Sequence, residues 1–200
     1  MNKPRSTIEI RCHRANSWIG RAENLSASDL DGKFIFYWIA INALYGQPKY
    51  LGRTEERTND LTDLQTFLNT LFPLDEHGHI LGAIKSLEHD INQLLKERYL
   101  CDWCWKYWQA NKLVTADERN KDSCSHQGKG HILNRLFGRL YVLRKQLFHG
   151  CSSEGGSKNR HMLKQAVNVL EKLARPLQEL VRERGKCLTI LKTLSYPPTI

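Results

Sequence analysis

No apolar run in this 200-residue chain reaches the roughly 18 residues of a membrane-spanning helix. The first residues, Met1 to Thr7, lead into no apolar stretch of the kind a secretion signal needs. The sequence also lacks a glycine-rich phosphate loop, a Ser/His/Asp signature, a strand-like alternation and an internal repeat. Two familiar devices for phosphate and acyl chemistry are therefore missing, and a soluble, cytoplasmic, all-α protein is expected. Of the six cysteines, only Cys101 and Cys104 have motif spacing. Cys124 and His126 would complete a zinc set with them. The second pair lacks finger spacing, however, and the first lies in a tryptophan-rich helical run, so packing cysteines are the preferred reading. No metal and no cofactor are expected.

What is present is a globular composition, 40% hydrophobic, with a formal net charge of +9. That charge suits a polyanionic partner such as RNA or DNA without requiring one. Apolar residues recur at three-and-four spacing along most of the chain. Residues 8–23 read as a first helix, with Ile8, Cys12, Ala15, Trp18, Ile19 and Ala22 inward and Arg11, Arg14 and Arg21 on a solvated face. Ser26 or Ser28 is expected to cap the next helix, Lys33 to Tyr45, which is apolar almost all round and therefore central. Its polar exception, Asn42, is expected to bond a neighbouring helix or to meet a ligand.

A third helix is expected over 54–72, and a fourth from Ile80 to about Tyr99. His77 and His79, between them, read as exposed loop histidines. Trp103, Trp105, Tyr107 and Trp108, interleaved with Lys106 and Lys112, suit a satellite core better than a base-stacking surface. Residues 101–130 read as an insertion or a mobile loop. Helices follow over about 130–148 and 160–184, the last with Pro176 expected to kink it. The whole reads as one all-α domain of five to seven helices over 1–185, with a tail over 186–200.

One segment stands out. It is Leu140 to Gly150: on the helix that runs into it, Leu133, Leu136, Phe137, Leu140, Leu143 and Leu147 share one face, and Arg144 projects from the middle of that face. A buried charge is costly unless it is paired. His149 lies about 140° further round an ideal helix. The two side chains can converge on one ligand only if the helix ends before His149, as Gly150 permits, or if a second copy supplies one of them. The plainer alternative pairs Arg144 with an acid of another helix and leaves His149 as a cap.

The run Leu-Arg-Lys-Gln-Leu-Phe-His-Gly at 143–150 resembles the Arg-x(4–6)-His motif of the HEPN superfamily. Phe-Tyr-Trp-Ile-Ala-Ile-Asn-Ala-Leu-Tyr-Gly at 36–46 resembles the second helix of bacterial HEPN proteins, in the matching order. One departure is Lys145, where many members carry Asn or another small polar residue after the Arg. A lysine there can still hold a phosphate as a point charge. The resemblance implies an up-and-down helical bundle that often dimerises. For active members it implies metal-independent cleavage of RNA in toxin–antitoxin or antiviral systems, with an antitoxin or defence-system partner. Some members have lost catalysis and bind RNA, nucleotides or proteins. Carried onto this chain, it makes Arg144 and His149 catalytic, with Lys145, Asn42 and Tyr45 beside the substrate. Gly138, Val142, Lys145 and His149 share a helix side on which a second copy is expected to pack.

Overall fold

The computed structural model describes residues 5–46, 60–101, 129–150, 153, 155–157 and 159–192. These contain seven α-helices and no strand. They are α1 (Thr7–Glu23), α2 (Leu30–Tyr45), α3 (Asp60–Leu71), α4 (His79–Ser86), α5 (Glu88–Lys96), α6 (Lys129–Phe148) and α7 (Arg160–Arg184). The expected all-α bundle is the architecture observed. None of the described helices is long and apolar enough to cross a membrane.

The helix starts follow from local chemistry. Ser6 and Glu9 form a reciprocal capping box on α1. Asp29, not Ser26 or Ser28, caps α2, its carboxylate accepting the Gly32 N–H at 2.8 Å. Ser26 and Ser28 bond each other instead. The Asp75 carboxylate accepts the N–H groups of His79, Ile80 and Leu81 and so starts α4. His77 and His79 flank this turn and are both exposed.

The expected fourth helix is two helices. The chain bends at Leu87, which is buried between α4 and α5, and the bend lets both pieces lie against α7. α2 is the central element, with Phe34, Tyr37, Trp38, Ile41 and Leu44 buried, and it packs on α1 and α7. α7 runs through Pro176 and buries its whole expected stripe, from Met162 to Val181. α6 packs on α3 and α5. Beyond α7, two short turns bring Leu188 and Leu191 into the core.

Arg11 departs from the sequence reading. It is 2% exposed rather than solvated. Its Nη1 donates to the carbonyls of Leu44 at 3.2 Å and Ala43 at 3.5 Å. These belong to the last turn of α2, where carbonyls lack helical partners and the helix dipole is negative. A buried guanidinium there meets acceptors the helix cannot satisfy itself. Trp18, expected inside, is 38% exposed and stacks on Phe36, against which Arg21 also lies.

Candidate functional site

The end of α6 meets the first condition set by the sequence. The helix stops at Phe148. The His149 N–H still bonds the Lys145 carbonyl at 3.0 Å, and Gly150 then turns left-handed at φ +67°. A positive φ suits glycine because an added Cβ would be strained there. His149 is thus the last residue before the chain turns, and it is exposed. The following connection is tied down at Asp31 on the first turn of α2. That carboxylate accepts the Gly155 N–H and pairs with Arg160 at 2.6 Å.

One turn earlier, Arg144 is half-buried. Its Cζ lies 5.0 Å from the Phe148 ring centroid and 5.6 Å from that of Tyr141. Its Nε is buried without a hydrogen-bond partner, and no ion pair to Arg144 occurs among the described residues. The expected alternative, pairing with an acid, is not what the described residues provide. Aromatic rings occupy the faces of a guanidinium and leave its in-plane N–H donors for a planar or tetrahedral anion. The Lys145 ammonium lies 5.4 Å from the same Tyr141 ring, so Tyr141 lies against both cations.

α2 approaches the site through Trp38 and the pair Asn42 and Tyr45. Trp38 touches Tyr141, with ring centroids 6.2 Å apart. The Tyr45 hydroxyl donates to Asn42 Oδ1 at 2.7 Å. Asn42 therefore finds its partner on its own helix, three residues on, rather than across to a neighbour. Burial pushes the Tyr45 hydroxyl well above the usual tyrosine range; Asp60 adds to this and Arg144 opposes it. Tyr45 thus remains a neutral donor within the field of Arg144. Its ring is buried against Phe67 of α3, so it orients Asn42 rather than presenting a surface.

Two residues at this site were not singled out from sequence. Tyr141 and Phe148 stand three residues before and four after Arg144, the spacing that places side chains on one helix side. Phe148 is 50% exposed, an unusual position for a phenyl ring. Tyr99 is also exposed, and its carbonyl accepts from Gln146 of α6 at 2.9 Å.

On the side of α6 expected to receive a second copy, Val142 is already buried within the chain. At Gly138 an added Cβ would meet no atom within 4 Å. Close approach by another helix is therefore open at Gly138 but not at Val142. No group of three metal-ligating side chains occurs among the described residues. Cys104, Cys124 and His126, and the aromatic run from Trp103 to Trp108, lie outside them. Comparison with protein-family models, curated proteins and solved structures finds no match to this chain.

Proposed function

We propose that this protein is a HEPN-type, metal-independent endoribonuclease that cuts single-stranded RNA, with Arg144 holding the scissile phosphate and His149 as the acid/base. The observation that carries the reading is Arg144: a half-buried guanidinium, held by two rings, with its Nε unpartnered one turn before an exposed histidine.

The chemistry needs little else. A base removes the proton of the 2′-hydroxyl, and the 2′-oxygen attacks the adjacent phosphorus. The bond from phosphorus to the 5′-oxygen breaks, and an acid protonates that oxygen. The products are a 2′,3′-cyclic phosphate and a 5′-hydroxyl. An imidazole serves as either base or acid. One chain offers one His149 at this site, so a second copy would supply the other proton carrier. Negative charge gathers on the non-bridging oxygens in the transition state, where the guanidinium fork and the Lys145 ammonium can meet it. Such an activity fits a toxin or an antiviral effector held in check by a partner protein.

The test is incubation of purified protein with single-stranded RNA in excess chelator. Cutting that leaves cyclic phosphate ends is expected, with none at a 2′-deoxy position. His149→Ala should fold normally and cut nothing; undiminished cutting by it would remove His149 from the mechanism. Lys145, standing where an Asn is common, favours one second reading: a non-catalytic module. Salt-sensitive RNA binding without any cleavage would decide for that.

A further inference from the structure

Among the described residues the exposed large apolar side chains are Trp18, Tyr99 and Phe148. Trp18 is stacked on Phe36, with ring centroids 5.5 Å apart, and so belongs to the pairing of α1 with α2. Tyr99 is tied through its carbonyl to Gln146, which points about 200° round α6 from Phe148. Phe148 is 50% exposed and meets no other ring among the described residues. Its one aromatic contact there is the Arg144 guanidinium, 5.0 Å from the ring centroid. Scattered singly, an exposed phenyl ring needs no explanation. Phe148, however, closes α6 one turn after Arg144 and directly precedes His149.

The other ring beside Arg144 is already engaged by the fold. Tyr141 is half-buried, packs on Trp38 with centroids 6.2 Å apart, and has the Lys145 ammonium 5.4 Å from its centroid. Phe148 alone combines closeness to the guanidinium with open ring surface. In a single strand, one ribose joins a phosphate to the base of its own nucleotide. A phosphate on Arg144 therefore carries a base to the neighbourhood of Phe148. Every base has a π-face that stacks on an aromatic ring, whatever the sequence. We propose that Phe148 is a base-stacking residue, on whose ring lies the nucleobase next to the phosphate held by Arg144. This rests on the reading of Arg144 as the phosphate-binding group, and it deepens that reading by giving the site a reason to prefer unpaired strands. A base inside a duplex is covered on both faces by its neighbours, whereas an unstacked base can be splayed out onto a ring. A purine, with the larger face, should rank above a pyrimidine.

The experiment is fluorescence anisotropy on the full chain with dye-tagged 2′-O-methyl oligonucleotides, in which the attacking hydroxyl is blocked. One strand carries adenines, one carries uracils, and one is an abasic phosphodiester backbone of equal length. The parent should hold the adenine strand roughly tenfold tighter than the abasic one, with the uracil strand between them. Phe148→Leu keeps an apolar side chain beside Arg144 and removes the π-face. It should weaken binding of the adenine strand by roughly tenfold, as for loss of one stacked base, and leave the abasic strand unchanged. Phe148→Trp should hold the adenine strand at least as tightly as the parent does. Both variants should melt with the parent, because the ring is exposed. Equal losses on the adenine and abasic strands in Phe148→Leu would make the ring a prop for Arg144 and overturn the proposal, as would undiminished adenine binding. Adenine-selective binding that depends on Phe148, without cleavage of unmodified RNA, supports the stacking and sinks only the nuclease reading. A parent that binds none of the strands overturns both.

Discussion

Arg11 and Arg144 are both arginines drawn into apolar helix faces, and the molecule treats them oppositely. Arg11 is sealed in, and its guanidinium is directed at the open carbonyls ending α2. Burial, with Arg14 second, pulls it down to about 10, still charged near neutrality. Arg144 is half-buried beside the rings of Tyr141 and Phe148, and its side chain has no hydrogen bond or ion pair among the described residues. A buried cation with acceptors supplied by the fold is a structural element. One set beside aromatic rings, with no acceptor among the described residues, is left available to an anion from outside.

That contrast predicts a reversal between two substitutions. Arg144→Ala should lower RNA cleavage by roughly 10²- to 10³-fold, as for loss of a transition-state charge partner. Its melting temperature should move little, because exposed cation–π contacts contribute only about 0.5–1 kcal/mol each. Arg11→Ala should do the opposite. It opens a cavity and strips two carbonyls of their donor, costing about 3 kcal/mol. At about 2–4 °C per kcal/mol for a chain of this size, thermal melting should fall by roughly 10 °C. A stable Arg11→Ala, or an Arg144→Ala that unfolds, would erase the distinction.

A smaller effect sharpens the second half of the contrast. Tyr45→Phe deletes the bond to Asn42 and should cost about 1 kcal/mol in chemical denaturation. If Asn42 serves the site through its orientation, cleavage should fall in this variant. Part of that loss should vanish when Arg144 is already gone, which a double-mutant cycle reads directly. Strict additivity would detach Tyr45 and Asn42 from the site.

Much of the scaffold was legible because apolar periodicity is repeated over many turns. The stripes of α1, α2, α6 and α7 were read with ends within a few residues of those observed. The fate of a single polar residue within a stripe was harder. At about 100° per residue, Arg11 falls between Trp18 and Ala22, inside the apolar arc. Its burial was readable in angle, but its acceptors were not, since they belong to another helix. The bend at Leu87 was invisible for a related reason. Ile80, Ile84, Leu87, Ile91 and Leu94 keep helical spacing straight through it, and the bend follows from packing on α7. At the site, Arg144 stood out as a charge among leucines. Its aromatic clasp did not, because Tyr141 and Phe148 read as ordinary members of an amphipathic helix.

The bond from Arg11 to the end of α2 also bears on how the chain assembles. α1 and α2 are joined by only a short connection, so pairing them closes a small loop at low entropic cost. Arg11, near the start of α1, reaches the far end of α2, so the last turn of α2 is completed only when the hairpin is zipped along its length. That makes the hairpin a natural early unit of folding, dominated by local contacts. α6 joins far later in the sequence and docks its Tyr141 on the Trp38 already presented by that hairpin. Slow exchange of the backbone amides at the end of α2 should therefore track α1, and the arm carrying Arg144 and His149 should be the one that opens first.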